Sequence, residues 1–111
     1  MEGLGRVIDV AARENGKVNI DHNYFYNRVK GTEETGYEVI RLGISSQQDL
    51  NTGHVVEHNL FQECNGELEL ISVKCSNTKI RFNTIVESAG FITLRHGNHH
   101  NVVRFVESIS I

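Results

Sequence analysis

The tetrapeptide HNLF at residues 58–61 has two counterparts, HNYF at 22–25 and FNTI at 82–85. Each sets an asparagine two positions ahead of a large apolar side chain. Asn23 and Asn59 are 36 residues apart, and Asn59 and Asn83 are 24 apart. A second recurring type, YEVIRLG, ELELISVK and FITLRHG, carries a basic residue near its end. Short strands at a period in the low twenties, with a recurring Asn, predict a right-handed parallel β-helix of about four coils. In such a solenoid each strand pairs only with the coils above and below. The asparagines stack as an amide ladder, and the long first interval is a coil carrying a loop, GTEETG or SSQQDLNTG. Pattern alone leaves a β-sandwich of similar strand lengths as the alternative.

The rest of the chain reads the same way. KVNIDHNYF, HVVEHNLF, TKIRFNTIV and NVVRFVESISI alternate or are rich in Val, Ile, Leu and aromatics, and polar or glycine-containing breaks separate them. RVIDVAARENG reads as one helical turn or as a strand followed by a turn. Nothing sustains a 3.6-residue period, so the chain is expected to be all-β. Its 111 residues contain no proline and no linker, which predicts a single domain over residues 1–111. Both end coils of a short solenoid expose strand edges, so the chain is either a piece of a longer β-helix or covers its ends by self-association.

Composition narrows the function. A net charge of −3 gives no long-range positive field, which argues against nucleic acid as partner. No apolar run approaches the ~18 residues that span a bilayer, so no membrane partner is expected. The N-terminus as given shows no basic region followed by an apolar core. Cys64 and Cys75 lack metal-site spacing and read as two buried thiols, with one bridge as the alternative.

The chemistry concentrates in GELELISVK. Alternation places Glu67 and Glu69 on one strand face, with Leu68 and Leu70 facing the core. The two acids are either a solvated face or oxygen ligands for a hard cation such as Ca²⁺. Lys74 lies an odd number of residues from Glu69, so a regular strand points it to the other face. A bulge within ISVK would bring it back beside the acids. Arg95 follows Lys74 by 21 residues, close to one coil, and Arg41 could occupy the coil before. A row of Arg41, Lys74 and Arg95 beside two acids suits an acidic sugar chain. Proton abstraction next to a carboxylate requires that carboxylate to be neutralised and a base that can be neutral.

At these residues the sequence resembles the chondroitinase-B-type polysaccharide lyases, a parallel β-helix family that includes alginate lyases. DHNYF, GYEVIRLG, VVEHNLF, GELELISVK, FNTIVESAG and ITLRHGN carry the resemblance over about residues 18 to 100. The resemblance implies β-elimination on a uronate-containing glycan. Lys74 would be the general base that removes the C5 proton and Arg95 the general acid toward the leaving oxygen. Glu67 and Glu69 would hold Ca²⁺, and Arg41 and His96 would line the subsites. Thr35 stands where alginate-type members have Asn as a third calcium ligand, and Cys75 stands where Ser usually follows the lysine. EVIRLG is closer to the alginate-cleaving branch, which makes alginate the expected partner and dermatan or chondroitin sulfate the alternative. The family also implies a secreted or periplasmic location. The competing expectation is a catalytically inactive β-helix remnant or carbohydrate-binding fragment.

Overall fold

A computed structural model describes residues 6–30, 36–47, 49–95 and 101–110. Among the described residues, twelve short strands wind through four coils. The first coil holds β1 (Ile8–Val10), β2 (Asn19–Asp21) and β3 (Tyr24–Arg28), and the second holds β4 (Ile40–Leu42), β5 (Val55–Glu57) and β6 (Leu60–Cys64). The third holds β7 (Glu69–Val73), β8 (Lys79–Arg81) and β9 (Thr84–Val86), and the fourth β10 (Phe91–Leu94), β11 (Val102–Arg104) and β12 (Glu107–Ile109). Like strands stack into three four-stranded sheets, β1-β4-β7-β10, β2-β5-β8-β11 and β3-β6-β9-β12. All pairings are parallel. The solenoid prediction holds over the sandwich, because every strand pairing among the described residues is parallel and joins like strands of successive coils. RVIDVAARENG opens with β1 and contains no helix. Among the described residues, no helix is long and apolar enough to cross a membrane.

The period follows from what must lie above what. Ile8, Ile40 and Ile71 align, as do Val10, Leu42 and Val73, Ile20, Val56 and Ile80, and Phe25, Phe61 and Ile85. Repeating an apolar residue at the same point of every coil fills the interior with stacks, and Ile40, Leu42, Val56, Phe61, Ile71, Val73 and Ile80 are fully enclosed. The long first interval is shared by both candidate segments. SSQQDLNTG follows β4, where Ser45–Gln47 forms a 3-10 turn, and residues 31–35 of GTEETG lie outside the described residues. Cys64 and Cys75 are buried free thiols.

The asparagines form the expected ladder. Asn59 Oδ1 accepts both the backbone N–H and the side-chain amide of Asn23, at 3.0 and 3.1 Å. Asn83 Oδ1 accepts the same pair from Asn59, at 3.0 and 3.1 Å. The remaining amide protons of Asn59 and Asn83 go to the carbonyls of Ile20 and Val56. The residue before each Asn turns the corner with a positive φ, His22 (55°), His58 (55°) and Phe82 (55°), and Phe105 (52°) does the same before Val106 on the fourth coil. That conformation is unfavourable for L side chains. Here the four rings stack from coil to coil at 5.1, 5.2 and 4.9 Å between centroids, which offsets part of the cost.

His54, between the 3-10 turn and β5, is enclosed. Its Nδ1 accepts the Val18 N–H at 3.0 Å, and its buried Nε2 has no hydrogen-bond partner among the described residues. Burial holds this imidazole below the ordinary histidine range. In the window just below pH ~6.5 the unfolded chain therefore binds a proton that the folded chain does not, so stability falls as pH drops through it. Thermal melts from pH 7 to 5 are expected to fall more steeply for wild type than for His54→Gln. The difference is limited to about 1.4 kcal/mol per pH unit, the contribution of one proton. Parallel slopes would show that His54 is not the sensor.

Candidate active site

Every described residue singled out for chemistry lies on the outer side of the β1-β4-β7-β10 sheet or at its margins. Two segments there share one pattern, E-V-I-R-L-G at 38–43 and E-L-I-S-V-K at 69–74. In each, two consecutive apolar residues are buried, Val39 and Ile40 in one and Leu70 and Ile71 in the other. The fourth coil lacks the extra residue. The register therefore shifts between Phe91 and Ile92, with Phe91 opposite Glu69 and Ile92 opposite Ile71. This is a β-bulge at Leu70–Ile71, and it resets the alternation of β7. Glu69, Ser72 and Lys74 thereby share the outer parity, so the odd spacing of Lys74 from Glu69 is absorbed at the front of the ISV segment.

Lys74 and Arg95 are neighbours on adjacent coils. Val73 pairs with Leu94, and the Arg95 N–H donates to the Val73 carbonyl at 2.9 Å, so each basic residue follows its strand at the same level. The second coil places Gly43 at this level, since the Lys74 N–H donates to Leu42 O. Gly43 has φ +80°, and a Cβ there would lie 2.7 Å from the Lys74 carbonyl oxygen. Glycine at this point lets the backbone carrying Lys74 close onto the second coil.

Arg41 departs from the expected row. It stands on the second coil but two residues earlier, at the level of Asp9, Ser72 and Thr93. Its Nε and Nη2 donate to Asp9 Oδ1 and Oδ2 at 2.9 and 2.7 Å, a two-bond fork that raises its pKa. Thr35 and His96 lie outside the described residues.

The acids come together, but not by alternation along a strand. Gly66–Leu68 forms a bend before β7, so Glu67 is not a strand residue and Leu68 is 69% exposed rather than in the core. Leu70 is buried as expected. Glu67 reaches back across the coil, where its Oε2 accepts the Tyr37 N–H at 3.0 Å. The third acid is Glu38, which the sequence reading passed over. Oxygens of Glu38, Glu67 and Glu69 lie within 4.8 Å of one another. Glu38 was findable from the shared E-[VL]-I pattern, which sets it one coil before Glu69, once the loop-lengthened interval is allowed for.

Cations bracket the cluster. Arg6 Nε lies 3.1 Å from Glu38 Oε1. Arg95 Nη1 donates a short hydrogen bond to Glu69 Oε1. The Glu67 carboxyl is nevertheless held above its ordinary range, chiefly by burial. The Tyr37 N–H and Arg6 oppose that rise, and the neighbouring Glu38 and Glu69 carboxylates add to it. Three carboxylates at this separation form an oxygen-rich site suited to a hard divalent cation. Arg95 of the basic pair is bonded to the cluster through Glu69.

The family model for chondroitinase B matches residues 3–107. No curated protein matches the chain. Among solved structures it is similar to a mannuronic acid specific polysaccharide family 6 lyase enzyme from human gut microbiota, with 37% sequence identity and a TM-score of 0.85. The match covers 97% of this chain and 24% of that one, so the chain spans about a quarter of the length of the solved lyase.

Proposed function

Since the chain belongs to the chondroitinase B family, we propose that it serves as the catalytic coils of a lyase acting on a uronate-containing polysaccharide. Alginate is the first substrate to test, because EVIRLG resembles the alginate-cleaving branch and the similar solved lyase is described as mannuronic acid specific. The observation that carries the reading is the stacking of Lys74 beside Arg95 on adjacent coils, on the same sheet as the gathered Glu38, Glu67 and Glu69.

In this mechanism Lys74 Nζ, in its neutral form, takes the proton from C5 of the uronate. The C5–H electrons form the C4–C5 double bond as the C4–O glycosidic bond breaks, and the leaving oxygen receives a proton. Arg95 is the donor toward that oxygen, directly or through water. The short bond to Glu69 draws its guanidinium along the sheet face toward the acid cluster. Glu38, Glu67 and Glu69 would hold a calcium ion, with Glu38 supplying a third carboxylate beside the two expected. A cation bound there would neutralise the substrate carboxylate and lower the cost of the charge that develops next to it.

The raised Glu67 pKa makes the cation reading testable through stability. A carboxyl whose folded pKa is raised stabilises the fold at low pH and loses that contribution as pH rises through the folded value. At pH 7 without metal, Glu67→Gln should therefore melt higher than wild type. The same variant should lose most of the melting-temperature increase that calcium gives wild type over chelator. A calcium response of wild-type size in Glu67→Gln would remove Glu67 from the ligand set.

One observation favours the competing reading, a segment that binds the polysaccharide without cleaving it. Arg41 is already committed to Asp9, and Arg95 to Glu69. Retention on alginate with no unsaturated product would establish that reading.

A further inference from the structure

We infer that Arg6 is a displaceable internal counter-ion of the acid cluster. It holds Glu38 in place while no divalent cation is bound and competes with that cation for the carboxylates. This rests on the cation-binding reading above and adds to it a residue outside the ligand set.

The register places Arg6 there. Ile8 pairs with Ile40 and Ile40 with Ile71. Two residues back from each, Arg6, Glu38 and Glu69 stand at one level of three successive coils. The Glu38 side chain is only 5% exposed and Arg6 24%, so the carboxylate depends on a local positive charge. Yet the contact is poorly made. Arg6 Nε and Glu38 Oε1 are 3.1 Å apart, and neither buried atom has a hydrogen-bond partner among the described residues. The neighbouring level of the same sheet shows what a settled pair looks like: Arg41 and Asp9 form a two-bond fork at 2.9 and 2.7 Å. Arg6 supplies charge without that geometry. A carboxylate oxygen that is buried, close to a cation and still without a hydrogen bond is well placed to exchange its partner for a metal ion.

Arg95 plays the matching part at the Glu69 end, but it also belongs to the proposed catalytic pair. Arg6 is therefore the residue that isolates the effect.

The test is calcium titration calorimetry on wild type, Arg6→Gln and Arg6→Lys, with thermal melts in calcium and in chelator. Arg6→Gln removes the competitor and should bind calcium roughly tenfold more tightly. It should also melt below wild type in chelator and recover when calcium is added. Arg6→Lys keeps the charge and should bind calcium as wild type does. Unchanged or weaker binding by Arg6→Gln would overturn the inference. So would failure of Arg6→Gln to fold in either condition, since Arg6 would then be a purely structural residue. No calcium binding by wild type would instead sink the cation reading itself, and this inference with it.

Discussion

Lys74→Ala should lower the rate at which alginate yields unsaturated product, followed by its ultraviolet absorbance, by about 10²–10⁴-fold, the usual contribution of a positioned general base. Lys74 is half-buried at the outer margin of the sheet, and its backbone N–H and carbonyl remain in any substitution. The melting temperature should therefore change little, and calcium should still raise it. Affinity for the polysaccharide should also persist, because charge at Arg95 and the acid cluster is untouched. That combination separates a missing base from a damaged fold. Activity equal to wild type would reject Lys74 as the base. Absence of activity in wild type, with binding intact, would favour the non-cleaving reading. Arg95→Ala makes an instructive partner variant: it should lose activity and also change calcium binding, since it releases Glu69.

Asn59→Ala should destabilise the fold by about 3 kcal/mol, a large share of what a small domain possesses. Asn59 occupies the middle rung of the ladder. Its loss removes the acceptor for two Asn23 donors and the donor to the Ile20 carbonyl, inside a packed corner that cannot admit water freely. In thermal melts the expected drop is roughly 10–20 °C. Asn23→Ala should cost much less, because Asn23 is exposed and only donates along the ladder. Equal losses at Asn23, Asn59 and Asn83 would mean that each Asn serves only its own turn, and that coil-to-coil bonding is unimportant.

The repeat that predicts this ladder was visible because the rungs must recur at one point of every coil. The same constraint made the buried apolar stacks and the adjacency of Lys74 and Arg95 legible from spacing alone. Glu38 was harder to see because the interval leading to Glu69 is lengthened by the β4–β5 segment, which hides the period. Leu68 misled for a different reason. Alternation applies only within a strand, and the bend at Gly66–Leu68 puts this leucine in water while its neighbour Glu67 turns toward Tyr37.

The amino-acid sequence by itself therefore determined the parallel β-helix, the amide ladder and the family to which the chain belongs. All three rest on residues repeated in a fixed order, and order is what a sequence records. Tertiary structure alone decided which charges meet. A bulge at Leu70–Ile71 brings Lys74 to the face of Glu69, while the unbroken register of β1, β4 and β7 aligns Arg6, Glu38 and Glu69 across three coils. That same register sets Arg41 beside Asp9 and Ser72, two residues short of the level of Lys74. One inserted residue reverses every side chain beyond it, so the composition of the site depends on a register that only the packed coils establish.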